Sequence, residues 1–278
     1  VTPLEFTLAA FGASLAAGFF GSLLGLGGGI IVIPALTILL HVDIRYAIGA
    51  SIVSVIATSS GAAAAYVRDR MANLRVAMFL ETATTSGALT GAFLAGILGG
   101  RWLTLGFGTA VTLSAVGMMR GTMRHPAAPP SHDAWADRLR LHGSYHDDAA
   151  GQEIRYRVYG TKGGLLLMYV AGATSGLLGI GAGALKVPAM DLAMRLPIKA
   201  SSATSNLMIG VTAAASAGVY FARGDIDPFV TAPVACGVVL GALLGSRLLP
   251  RIQSHAIRIV FVALLLWIGG QMIWRAIR

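Results

Sequence analysis

The chain has 278 residues, of which 55% are apolar and only 12% charged, against roughly 25% charged in a soluble domain. Twelve of the charged side chains fall between Arg120 and Lys162, so long apolar runs remain on either side, as in a polytopic membrane protein and unlike a water-soluble globule. The net charge of +9 sits in short loops beside those runs rather than on one basic face, so positive-inside topology explains it and no nucleic acid partner is expected.

Glycine is abundant, 36 residues without a three-residue period, and serves close helix packing in lipid. A single cysteine, Cys236, excludes a disulfide framework, a CxxC redox pair and a thiolate zinc cage within one chain. Val1-Thr2-Pro3-Leu4-Glu5 lacks a basic n-region and a small-residue cleavage site, so it reads as the start of a first span, without a removable signal peptide.

In chain order, apolar segments are predicted at about 4–24, 30–40, 45–67, 76–99 and 102–120. They resume at 163–179, 184–194, 199–222, 229–249 and 256–274. Most reach the ~20 residues that cross a bilayer core. The segments 30–40 and 184–194 do not. Each follows a Gly cluster, Gly25-Leu26-Gly27-Gly28-Gly29 and Gly179-Ile180-Gly181-Ala182-Gly183, and reads as a half-helix entered through a break.

A displacement of 154 residues aligns Gly18 with Gly172, Gly25 with Gly179, Gly27 with Gly181, Gly29 with Gly183, Pro34 with Pro188, Ser51 with Ser205 and Tyr66 with Tyr220. Gly87 to Gly91 matches Gly237 to Gly241 with a small shift. This is an internal duplication. Five segments per half give a stronger Lys/Arg asymmetry between the two sides than four, and one continuous helix from 4 to 40 would be about 55 Å long, too long for the bilayer. The expected fold is therefore an all-α polytopic membrane protein of two inverted repeats of about five helical segments each, with the Gly-broken half-helices near the midplane. The expected organisation is a first repeat at 1–120, a polar cytoplasmic loop or small subdomain at 121–162, and a second repeat at 163–278, with both termini outside.

Gly21-Ser22-Leu23-Leu24-Gly25-Leu26-Gly27-Gly28-Gly29 followed by Ile33-Pro34, Gly49-Ala50-Ser51, Gly176 to Gly183 followed by Val187-Pro188, Ala203-Thr204-Ser205-Asn206 and Gly224-Asp225-Ile226-Asp227 together resemble the TauE/SafE sulfite-exporter family. The resemblance covers nearly the whole chain outside the central loop. It implies a bacterial or archaeal inner-membrane transporter that exports sulfite or small organosulfur anions. Ala182, where a third Gly is usual, and the long polar stretch 121–162 depart from the pattern.

The residues point to a compatible chemistry on their own. A Gly-rich break leaves unpaired N–H groups and the positive dipole end at the start of the following helix, a setting for a small anion. Gly27, Gly28, Gly29, Gly181, Ala182 and Gly183 form this candidate site; the competing account is that the glycines only permit close helix approach. Lys186, whose repeat counterpart is Val32, is expensive in a span unless it faces a cavity or an anion; it either holds the substrate or snorkels to a headgroup. Ser51, Thr204, Ser205 and Asn206 could complete an oxyanion shell, or bond backbone carbonyls. Glu81 is a candidate for a coupling proton; Asp191 is a second, although it also stands four residues from Arg195 on a helix face.

In the central stretch His142-x-x-x-His146-Asp147 has helix-compatible metal spacing, but no third ligand is fixed and no metal or other cofactor is expected. Ile154, Tyr156 and Val158 alternate with arginines, predicting a short strand. The expected partners are a small sulfur oxyanion or sulfonate and membrane lipid, with homo-oligomerisation left open. A channel shares the same site chemistry. An intramembrane enzyme is disfavoured, since the spans contain no HExxH, Ser/His dyad or redox cysteine pair.

Overall fold

Helices dominate because apolar spans must satisfy their own backbone polar groups in lipid. The computed structural model describes residues 3–25, 27–95, 100–123, 132–178, 183–252 and 254–277. The first half contains α1 (Pro3–Leu24), the short α2 (Gly29–Pro34) continued by a π-helical turn Ala35–Leu39, α3 (Ile44–Arg68), α4 (Leu74–Ala95) and α5 (Gly100–Met123). A central segment follows, with α6 (Ala134–Arg138), β1 (Gly143–Asp147) and β2 (Gln152–Tyr156). The second half contains α7 (Thr161–Leu178), the short α8 (Gly183–Pro188) with its π-helical turn Ala189–Ala193, α9 (Ile198–Ala222), α10 (Pro228–Leu248) and α11 (Ser254–Ile277). Among the described residues α1, α3, α9 and α10 are each long and apolar enough to cross a membrane.

The 154-residue displacement recurs in the backbone. Pro34 and Pro188 each lack the N–H that would continue an α-helical ladder, and each leads into a π-helical turn. Val42 N–H then donates to the Leu36 carbonyl and Leu196 N–H to the Met190 carbonyl, both at 3.0 Å. His41 and Arg195 are left-handed (φ 54° and 58°), as are Arg70 and Gly224 (φ 53° and 76°). Tyr66 OH donates to the Ser22 carbonyl at 3.0 Å, and Tyr220 OH to the Gly176 carbonyl at 2.8 Å.

The halves interleave. α1 lies along α10, where an added Cβ at Gly18, Gly237, Gly241 or Gly245 would strike backbone of the partner helix. α4 lies along α7 in the same way through Gly87, Gly91, Gly172 and Gly176. Small residues thus let backbones touch where lipid supplies no hydrophobic drive. Both pairs run in the same direction: Gly237 meets Phe11 and Gly241 meets Leu15, while Gly172 meets Thr84 and Gly176 meets Ala88. α4 also runs alongside α9, with contacts at Asn73 and Thr204, Glu81 and Thr212, and Ala92 and Arg223. α9 crosses α3, with Ser59 Oγ donating to the Asn206 carbonyl at 2.6 Å.

The central segment is packed against one end of the bundle. β1 and β2 pair antiparallel, from Gly143 opposite Tyr156 to Asp147 opposite Gln152. Lys199 and Asp147 form a buried ion pair at 2.6 Å. Asn73 Nδ2 donates to the Leu141 carbonyl at 2.8 Å and to Tyr156 OH at 3.1 Å. Asp133 caps α6 and also accepts from Thr161; burial opposes its ionisation, but bonds from Thr161, Ala136 and Trp135 hold the carboxyl below its ordinary range. The predicted strand is present in part as β2, which takes in Ile154 and Tyr156 and ends before Val158. His146 lies within β1 and bonds no helix partner four residues away; His142 contacts Asp137 at 2.8 Å.

Candidate functional site

The last carbonyls of a helix have no partner within it, and α1 ends at a break inside the bundle. Gly25, Gly27 and Gly28 adopt left-handed backbone (φ 72°, 77° and 71°), which glycine alone reaches without cost. The chain folds back so tightly there that a Cβ on Gly21 would collide with Gly28. Gly27 N–H donates to the Gly21 carbonyl at 3.2 Å and Gly29 N–H to the Gly27 carbonyl at 2.8 Å; Ile31 and Val32 N–H donate to the Gly28 carbonyl. α2 therefore starts at Gly29 and returns beside α1.

α9 supplies partners for the broken end. Ser205 Oγ donates to the Gly25 carbonyl at 2.7 Å, Asn206 Nδ2 to the Ser22 carbonyl at 2.6 Å, and Ser202 Oγ to the Leu24 carbonyl at 3.4 Å. Thr204 Oγ1 accepts from Asn73 N–H at 3.0 Å. Ser202, Ser205 and Asn206 are thus placed against the Gly-rich turn, where they bond main-chain oxygens, whereas Thr204 faces Asn73. Ser51, the repeat counterpart of Ser205, is buried on α3. Gly183 is buried at the start of α8. Gly181 and Ala182 lie outside the described residues. Asp191 sits partly exposed in the π-helical turn after α8.

Two turns further along α9 is a charged cluster. Lys186 of α8 is fully buried, so it does not snorkel. Its Nζ donates to Thr212 Oγ1 at 2.5 Å and lies 3.8 Å from Glu81 Oε2. Thr212 Oγ1 donates to Glu81 Oε1 at 2.6 Å, and Thr85 Oγ1 donates to the same oxygen at 3.0 Å. Glu81 Oε2 is buried with no hydrogen-bond partner among the described residues. A cation, a hydroxyl and a carboxylate from α8, α9 and α4 are therefore held together, with one carboxylate oxygen still able to accept a proton or a donor.

Lys186 and Glu81 are separate candidates in the sequence and partners in the structure. Thr212 was not singled out, although Thr58 stands at its 154-residue counterpart. The corresponding positions in the other half carry no charge: Val32 for Lys186, Thr58 for Thr212 and, by the Gly87 to Gly237 match, Thr231 for Glu81. Thr58 Oγ1 bonds the Ser54 carbonyl at 2.7 Å, and Thr231 Oγ1 is buried without a hydrogen-bond partner among the described residues. Among the described residues no three His, Cys, Asp or Glu side chains come together as a metal site.

A family model described as sulfite exporter TauE/SafE matches residues 10–272. The "Probable membrane transporter protein YunE" of Bacillus subtilis (strain 168) is 28% identical over 270 residues, covering 95% of this chain and 96% of that protein. A "Probable membrane transporter protein" of Xylella fastidiosa (strain 9a5c) is 27% identical over 263 residues, covering 93% and 92% respectively. No solved structure matches this chain significantly.

Proposed function

The chain belongs to the TauE/SafE sulfite exporter family, and from that premise we propose that it is a secondary transporter exporting sulfite or a small organosulfur anion across the bacterial or archaeal inner membrane. It is a multi-pass membrane transporter, not an enzyme. The observation that carries the substrate reading is the buried Lys186, held by Thr212 and Glu81 between helices of the two halves. A buried cation of this kind marks an ion pathway by default, and a small oxyanion offers it both charge and acceptor oxygens.

We read residues 1–120 and 163–278 as inverted repeats. Support comes from the recurring backbone features, and from α1 running with α10 while α7 runs with α4. In this reading the short α2 and α8 lie near the midplane with Gly27 to Gly29 and Gly181 to Gly183 beside the substrate path; Ser205 and Asn206 orient the first turn, and Ser51 and Thr204 are assigned to the anion's shell. One repeat bundle moves against the other to give alternating access. Glu81 is the favoured carrier of a coupling proton, ahead of Asp191. The positive-inside rule puts the segment 121–162 in the cytoplasm and the termini outside.

Counterflow tests the proposal. Proteoliposomes of the full chain preloaded with unlabelled sulfite take up labelled sulfite at a saturable rate several times that of unloaded vesicles. A linear, unstimulated flux would make the protein a channel. Absence of flux for sulfite and for alkylsulfonates would contradict the sulfur-anion assignment.

A further inference from the structure

In this structure the counter-charge of Lys186 is the protein's own carboxylate. The two charges are joined through one hydroxyl, Thr212 Oγ1, at 2.5 Å from Nζ and 2.6 Å from Glu81 Oε1. Among the described residues Lys186 is the charged group within 4 Å of Glu81. The other titratable or charged groups on elements packed against α4 are engaged or exposed. On α9, Lys199 pairs with Asp147, Tyr220 bonds the Gly176 carbonyl and Arg223 bonds the Ala92 carbonyl. On α7, Lys162 is exposed and Tyr169 contacts Thr90; Asp137 of α6 contacts His132 and His142.

We propose that Glu81 and the transported anion are alternative partners of Lys186, so that one proton taken up by Glu81 accompanies each singly charged anion. This rests on the transporter reading above and adds the charge and stoichiometry of the substrate; because the proton leaves with the anion, export in this scheme is driven by the anion's own outward gradient. The unloaded carrier holds Lys186 as a cation and Glu81 as a carboxylate. In the loaded carrier a proton has bonded to Glu81, most directly at Oε2, which has no hydrogen-bond partner among the described residues, and the anion has replaced the carboxylate at Lys186 and Thr212. Both states carry no net charge at the site, so neither a naked buried cation nor a naked anion has to cross the low-dielectric core. A dianion would leave one uncompensated negative charge. Hydrogen sulfite and alkylsulfonates therefore fit, and sulfate or thiosulfate do not. Because Val32, Thr58 and Thr231 at the related positions are uncharged, one such exchange occurs per chain.

The experiment uses proteoliposomes of the full chain with labelled methanesulfonate and thiosulfate as probes and an entrapped pH dye. Expected are methanesulfonate uptake with one proton per anion, a rate unchanged by an imposed potassium–valinomycin potential, and thiosulfate uptake at least tenfold slower. In Glu81→Gln the response to a pH gradient falls at least tenfold more than counterflow does. Potential-driven uptake without proton entry, or an undiminished gradient response in Glu81→Gln, overturns the proposal while leaving the transporter reading in place. Failure of the natural chain to carry either probe, or sulfite, overturns both. The stoichiometry is read on the natural chain, so it stands even where a variant fails to fold.

Discussion

Lys186→Met lowers stability by about 3 kcal/mol, the low end for breaking a buried pair, because it leaves the largely buried Glu81 carboxylate without its counter-charge. That is a large part of the roughly 5–15 kcal/mol by which a folded protein is favoured. Thr212 and Thr85 continue to donate to Oε1, but two hydroxyls do not neutralise a carboxylate with one oxygen unpartnered. Adding Glu81→Gln removes the orphaned charge and restores most of the loss, since a neutral amide still accepts from both threonines. Thermal unfolding in detergent distinguishes the two variants: a deep fall in Tm for the single change and near recovery for the double. Sulfite flux falls at least a hundredfold in both, because neither retains the cation.

Lys199→Met has a comparable effect at the start of α9. Its Nζ lies 2.6 Å from Asp147 Oδ1 and both side chains are buried, so the change strands a carboxylate beneath the β1–β2 hairpin and costs about 3–5 kcal/mol. The cost appears locally, as undocking of the central segment from α9. Limited proteolysis within residues 132–160 speeds up at least tenfold, and Asp147→Asn added to Lys199→Met reverses most of that. Unaltered protection in the single variant would show that Asn73, Tyr145 and Tyr156 hold the segment without the ion pair.

Local features of the fold were legible in the sequence because they repeat. The displacement of 154 residues found Gly25, Pro34, Ser51 and Tyr66 with their counterparts, and the same spacing governs the π-helical turns and the tyrosine bonds to the ends of α1 and α7. The five-helix reading of each half agrees with the element order, and Gly87, Gly91, Gly237 and Gly241, which the sequence matches between the halves, are where helix backbones meet.

Partnerships between the halves were not legible. Glu81 and Lys186 are far apart in the chain, and they meet because α4 packs on α7 and α9 instead of on its own repeat. No local periodicity encodes that choice. Ser205 and Asn206 show a different limit: residue type announces a donor, but only the fold shows that α1 ends against them and that its carbonyls take the bonds. The spacing of His142 and His146 suits a helix, yet β-propensity around Tyr145 and the hairpin partner Gln152–Tyr156 place His146 on a strand. Nothing in the sequence around Lys199 marks a buried ion pair; its partner Asp147 reaches it from the end of β1 in the docked hairpin.

The central claim is that Lys186 receives the transported anion, and ligand-dependent unfolding tests it most directly. A ligand that binds the folded state raises Tm as its concentration exceeds Kd. Sulfite, with methanesulfonate in parallel, should raise the Tm of the natural chain saturably and leave the folded Lys186→Met/Glu81→Gln double variant unmoved. An equal rise in the double variant would place the anion elsewhere and contradict the account.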